Sequence, residues 1–434
     1  MPNKQPKTNF QIISLCTGFL GIQIGFALQA GNVTRVLQNF GADLTEVSLL
    51  WLIAPISGAL VQPIIGYLSD RNMNTGNTRI PYLLFGGLIC ALCLYLLPNA
   101  GVIVSIGTPL LTGALLLIVI DTSFNVSMHP LRAAISDYLP TYQQPRGFAI
   151  QTFMISLGAI LGSTLPYVLH HFFGFAEIAD ENQIPENVKW SFYIGSTLLL
   201  ICILITSKAI SNNKQEARIR NTTDEGINTV QLQSIPSKMW QLGLIQFFSW
   251  AAFFFIWIFM TPAISQHIFK EYNFSSSSIA YAKAANYTGI LFGLYHLSAS
   301  IFALALTYLY KRLNIIKTHT LALLIGGIGF IMIYFSSSII DLYLPMICIG
   351  IAWSSILASP FALLSRIIPQ QKIGFYFGIF NLFITIPQII VGFFGGFIIE
   401  NYFESEAIFA VIIAGISLLL ASLTCFFFRK SLQL

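Results

Sequence analysis

The segment VIDTSFNVSMHPLRAA, residues 119–134, carries an acid, an amide and a guanidinium into apolar surroundings. It issues from the run LLTGALLLIVI, so Asp121 stands inside a hydrophobic segment. Asn125 lies one helical turn further on and shares its face. Arg132, eleven residues from Asp121, is close to three turns away, on the same stripe at about 16 Å. That distance is too great for a direct salt bridge. An Asp at the centre of a lipid-embedded helix costs on the order of 2.5–3.5 kcal/mol, so such a residue faces a partner or a cavity and marks a solute or ion pathway. The chemistry open to this stripe is proton exchange at the carboxylate and hydrogen bonding to hydroxyl groups. Pro130 removes one backbone hydrogen bond and frees the carbonyl of Val126, which weakens that turn.

The elements that carry the stripe follow from composition. Charged residues make up 9% of the chain and hydrophobic residues 55%, with a mean hydropathy of +0.74. A soluble domain carries about 25% charged residues, so this chain cannot clothe a globular surface and reads as an integral membrane protein. Apolar segments of the length needed to cross about 30 Å of hydrocarbon recur along the whole sequence. Helices are predicted near 10–31, 47–68, 80–98, 103–130, 146–171, 190–208, 238–265, 280–310, 318–338, 341–364, 374–399 and 405–428. The weak ten-residue alternation of a membrane β-barrel is absent. The first apolar run lacks a small-residue cleavage site and reads as a span, not a removed signal. All six cysteines fall in apolar runs, where free thiols are expected, and Cys90-x-x-Cys93 has no second pair to make a metal site.

The polar stretch 209–237 separates two six-helix halves, 1–208 and 238–434, and reads as a cytoplasmic linker. Basic residues fix the expected orientation. With the N-terminus inside, only Arg35, Lys189, Lys270 and Lys283 fall on the outer side. Both termini are then cytoplasmic, in a plasma or bacterial inner membrane. The net charge of +5 reflects this bias towards the lipid surface and contains no nucleic-acid patch.

The halves echo each other. Residues 130–158 read PLRAAISDYLPTYQQPRGFAIQTFMISLG, and residues 360–386 read PFALLSRIIPQQKIGFYFGIFNLFITI. Each has a Pro, a Ser, a second Pro, a Gln-Gln pair and a Gly-Phe opening the next helix. Paired parallel repeats of this kind mark secondary transporters whose solute site lies near mid-membrane. Carried forward by the same offset, Asp121 falls on Ile351 and Asn125 on Ser355, with Trp353 between them. The second half keeps the helix and lacks the acid.

Other polar residues within spans widen the set. Gln29, Gln62, Asn381 and Gln388 offer amides for hydroxyl groups, and Trp353 offers an aromatic face for a sugar ring; these five are candidate solute-lining residues. His296, alone on an apolar helix, reads as a packing residue. No metal-ligand cluster and no phosphate loop is present in the sequence, so neither a metal nor another cofactor is expected beyond a coupling ion.

Residues 51–71, WLIAPISGALVQPIIGYLSDR, resemble the second helix and following loop of the sucrose transporters of plants and their animal and bacterial relatives. These belong to the glycoside–pentoside–hexuronide:cation symporter type within the major facilitator superfamily. Within that stretch Gly66-x-x-x-Asp70-Arg71 is similar to the superfamily's loop motif. The family continues with a dense arginine cluster, where NMNTGNTRIPY carries Arg79 alone. Asp121, Asn125, Pro130, Arg132 and Asp137 match the spacing of the family's fourth helix, and Asn381 with Pro387-Gln388 matches its eleventh. The resemblance implies an all-α, twelve-helix major facilitator fold. It implies Asp121 as the proton-coupling and sugar-contacting acid, Arg132 as a transport-essential cation, and Gly66, Asp70 and Arg71 as a cytoplasmic gate.

The resulting expectation is a monomeric secondary transporter that carries a sugar, an α-glucoside such as sucrose or maltose, with protons by alternating access. One charge crossing 100 mV supplies about 2.3 kcal/mol, enough for accumulation on the order of fiftyfold. A sodium-coupled glycoside symporter and a major facilitator carrier of another small metabolite are the alternatives. A membrane enzyme would need convergent nucleophile or metal-ligand clusters, which the sequence lacks.

Overall fold

The computed structural model describes residues 5–39, 52–74, 78–103, 108–176, 184–212, 235–271 and 279–432. Most of the expected linker, 213–234, and the start of the expected second span lie outside these residues, as does the side chain of Arg35.

Among the described residues the chain is helical and contains no strand. Leaving aside helical turns of three or four residues, the helices in order are α1 (Asn9–Asn39), α2 (Ile53–Asn74), α3 (Ile80–Leu96), α4 (Pro109–Tyr138), α5 (Gln144–Phe173) and α6 (Glu186–Ser211). There follow α7 (Ser237–His267), α8 (Ile279–Leu313), α9 (Ile315–Tyr334), α10 (Tyr343–Ile367), α11 (Ile373–Phe380), α12 (Leu382–Tyr402) and α13 (Ile408–Leu432). Eleven stretches are long and apolar enough to cross a membrane, α11 and α12 counting as one. The remaining helix, α2, has 22 residues and carries Ser57, Gln62 and Asp70 within its length. The protein is a multi-pass membrane protein. All six cysteines are free thiols.

Helix boundaries differ from the hydropathy reading where local chemistry intervenes. The fourth span starts at Pro109 because Thr108 caps it, its hydroxyl accepting from the Leu111 N–H at 3.2 Å. It continues through Pro130 to Tyr138, eight residues past the expected end, so Arg132 and Asp137 are helical. α10 runs through Pro360 to Ile367 in the same way. Both helices stop for one reason. Leu139 and Ile368 adopt extended backbone (ψ 140° and 152°), and each precedes a proline, Pro140 or Pro369, which disfavours the α conformation in the residue before it. The repeated prolines thus mark the ends of matched helices.

The chain divides into two compact units: Met1–Gly147 with Met154–Leu232 and Pro369–Asn381, and Phe148–Phe153 with Gln233–Ile368 and Leu382–Leu434. These differ from the halves 1–208 and 238–434 by two short segments, each beginning at the Gly-Phe of the repeat or just before it. In the first unit α4 packs against α1, α2 and α3, and α11 lies against α2 and α4. In the second, α10 packs against α8 and α9, while α13 joins α7 to α9. α11 and α12, expected as one helix over 374–399, are interrupted at Asn381.

Candidate functional site

Asp121 is 2% exposed. Its carboxylate accepts one hydrogen bond, from Gln29 Nε2 of α1 at 2.9 Å. It forms no ion pair among the described residues. A buried acid without a cation is costly as an anion, so this carboxylate is placed to exchange a proton or to meet a polar solute. Gln29 Oε1 is buried and has no protein partner, which leaves an acceptor beside the acid.

One turn along α4, the Asn125 amide is fully engaged. Its Nδ2 donates to the Asp121 carbonyl at 2.9 Å and to Ser57 Oγ of α2 at 3.0 Å. Its Oδ1 accepts from Gln62 Nε2. A further turn along, His129 Nε2 meets Gln62 Oε1. Asp121, Asn125 and His129 therefore form one stripe at i, i+4 and i+8, and α2 answers it with Ser57 and Gln62. The structure brings together Gln29, Gln62, Asp121 and Asn125 from the sequence-derived set, and adds Ser57 and His129. His129 was missed among the sequence-derived candidates, although its spacing of eight residues from Asp121 was the available signal.

Arg132 is buried, and its guanidinium Nη2 reaches Met128 Sδ at 3.9 Å. It lies on α4 without joining the Asp121 carboxylate.

A second charged cluster sits where α2 ends and α3 begins. Arg79, 1% exposed, donates through Nη2 to Asp70 Oδ1 at 2.7 Å and through Nε to Asp137 Oδ2 at 2.5 Å. Its Nη1 reaches Ser69 Oγ at 2.6 Å. Burial alone would lower the pKa of this guanidinium; the charges of Asp137 and Asp70 outweigh burial and hold it above its ordinary value. Asp70 also accepts from the backbone N–H groups of Gly374 at 3.0 Å and Phe375 at 2.7 Å, in the first turn of α11. Those N–H groups have no partner within their own helix, and a carboxylate there is stabilised by the helix dipole. Gly66 permits the approach, since a Cβ on it would strike the Gly374 carbonyl. Arg71, expected to work with Asp70, is exposed instead. The cation that meets Asp70 is Arg79, placed directly before α3, where it can turn inward.

The remaining candidates lie elsewhere. Asn381 donates from Nδ2 to the Gly58 carbonyl at 3.4 Å within the first unit. Trp353 and Gln388 belong to the second unit. Trp353 is 5% exposed and is enclosed by Phe253 at 4.7 Å, Trp250 at 5.3 Å and Trp257 at 5.6 Å between ring centroids. Its ring packs in an aromatic cluster in place of forming an open stacking platform. Gln388 is 9% exposed on α12.

Comparison with known proteins fits this architecture. The Major Facilitator Superfamily pattern matches residues 13–392, and the chain belongs to that superfamily of membrane carriers. Among curated proteins it is similar to the general alpha-glucoside permease of Schizosaccharomyces pombe (strain 972 / ATCC 24843), at 24% identity over 59% of this chain and 48% of the permease. It resembles sucrose transport protein SUT5 of Oryza sativa subsp. indica at 26% identity, over 54% of this chain and 48% of that protein. For both, the chain spans about half the length of the relative. Sucrose transport protein SUC4 of Arabidopsis thaliana matches over 86% of this chain and 80% of its own length, at 24% identity. Among solved structures, a bacterial homologue of the iron transporter ferroportin in an outward-facing state gives a TM-score of 0.71 at 14% identity, covering 97% of this chain and 99% of that one. The proton:xylose symporter XylE bound to 6-bromo-6-deoxy-D-glucose gives 0.67 at 14% identity, covering 98% and 96%. These likenesses concern the fold.

Proposed function

We propose that the protein is a proton-coupled symporter of a sugar, an α-glucoside such as sucrose or maltose, working by alternating access. The observation that carries this reading is the Asp121 carboxylate, buried in α4 with a single neutral hydrogen-bond donor and no cation. Protonated, the acid donates to a sugar hydroxyl; deprotonated, it accepts from one, with Gln29 Oε1 as the second acceptor. Similarity to α-glucoside and sucrose carriers supports the choice of cargo. The cluster of Asp70, Arg79 and Asp137 is the cytoplasmic gate on this reading, and Arg132 the cation at the inner end of the stripe. The protein works as a monomer in a plasma or bacterial inner membrane, with both termini cytoplasmic.

The test is uptake of labelled sucrose and maltose into vesicles, with and without an imposed proton gradient, for the wild type and Asp121→Asn. Gradient-driven accumulation in the wild type and facilitated equilibration alone in the variant are expected. Undiminished accumulation by Asp121→Asn removes the acid from coupling. A sodium requirement without a pH effect gives the coupling to sodium.

A further inference from the structure

The direction of each hydrogen bond along α4 can be settled from one end. The Asp121 backbone carbonyl can only accept, so the Asn125 group 2.9 Å away must be the Nδ2 amide donor. Asn125 Oδ1 then faces Gln62, which must present Nε2 to it. The other end of that amide, Oε1, is an acceptor and faces His129 Nε2. His129 must therefore carry its proton on Nε2. Reversing the Gln62 amide would set two acceptor oxygens against each other at Asn125, and would require the opposite histidine tautomer. The chain of amides is consistent in one sense only, and His129 closes it.

Burial makes that closure matter. His129 is 0% exposed, and Gln62 and Asn125 are 6% exposed, so water does not compete to satisfy a released amide. The charged groups acting on the imidazole are Arg132 on its own helix and Arg79 ahead of α3, and Asp70 and Asp137 hold Arg79. A charged imidazole, buried against an amide oxygen, would be costly. An amide chain moreover offers no basic site through which a proton could step from Asp121.

We infer that His129 is a positioning residue for the acid's site. As a neutral Nε2–H imidazole it locks the Gln62 amide, which holds Asn125 with both its donors turned to α2 and to the Asp121 backbone. Asn125 is thereby a clamp between α2 and α4, and the groups left for solute are the Asp121 carboxylate and Gln29. This role rests on the reading of Asp121 as the solute- and proton-handling acid, whereas the tautomer of His129 does not.

Two measurements test the inference separately. Solid-state ¹⁵N NMR of histidine-labelled protein in lipid, with the His129→Gln spectrum identifying the resonance by its loss, should show a neutral Nε2–H imidazole. A neutral Nδ1–H tautomer or an imidazolium overturns the inference whether or not the protein moves sugar. In vesicle uptake of labelled sucrose or maltose, His129→Leu should raise KM roughly fivefold, the size of one net hydrogen bond, with maximal rate little changed. His129→Gln places an amide donor at similar reach and should bring KM back to within about twofold of wild type, with the pH profile unmoved. A KM for His129→Leu equal to wild type, or equal impairment in both variants, overturns the positioning role. So does a shifted pH profile in His129→Gln, which would make His129 a titrating group. Absence of uptake of either sugar by the wild type counts against the cargo and leaves the NMR outcome to decide the tautomer.

Discussion

The matched stripes of α4 and α10 were built to one plan and equipped differently. On α4 the positions are Asp121, Asn125 and His129; on α10 the same offset gives Ile351, Ser355 and Ser359. In the first unit the second and third positions tie α4 to α2 through Ser57 and Gln62. In the second unit Ser355 and Ser359 bond each other at 2.9 Å, while Ser355 meets His319 Nδ1 of α9 and Ser359 meets Tyr310 of α8, each at 2.9 Å. Both units thus use the second and third positions as ties between helices. They part at the first position, where one has a carboxylate and the other a hydrocarbon. The tie belongs to the architecture of both units, and the buried carboxylate is what sets the first apart from the second.

The largest effect that bears on this contrast is expected at Arg79, whose ionic cluster holds the charge of the first unit in place. Arg79→Ala leaves Asp70 and Asp137 buried without their cation, a loss of about 3–5 kcal/mol. Thermal unfolding in detergent should show it as the largest drop of any variant considered, and a drop no larger than that of a serine variant would break the contrast. Next comes Asp121→Asn, expected to abolish accumulation on the order of fiftyfold, equivalent to about 2.3 kcal/mol, while leaving the unfolding temperature close to wild type. Smallest is Ser355→Ala, which removes one tie in the second unit and costs about 1 kcal/mol. It should lower the unfolding temperature slightly and leave the ratio of gradient-driven to passive uptake unchanged. If that ratio collapses with Ser355→Ala, the second unit shares in coupling and the division of labour is wrong.

How far the sequence carried the argument depends on the kind of information each feature needs. Spans follow from hydropathy because lipid imposes one length on every crossing helix. The acid and its amide follow because 3.6-residue periodicity puts i and i+4 on one face. His129 was not singled out, although the same periodicity puts it on that face, because its role depends on Gln62 of another helix and pairing between helices has no signature within one. Arg79 posed the same difficulty: beside Asp70 in the chain stands Arg71, and only the turn into α3 decides which arginine faces inward. The interruption at Asn381 was hidden by a hydropathy that runs unbroken from α11 to α12.

The seating of α11 on α2 has an electrical side. Asp70, Asp137 and Arg79 together sum to one negative charge, and Asp70 turns both its oxygens to the N–H groups of Gly374 and Phe375. The start of a helix carries about half a positive charge, so α11 acts as a partial counterion that is covalently part of the fold. Residues 369–381 group with the first unit in a way that a repeat of prolines, glutamines and glycines does not express. Part of the cluster's charge is thus offset by backbone of a helix 304 residues further along the chain, a pairing that exists only in the assembled fold.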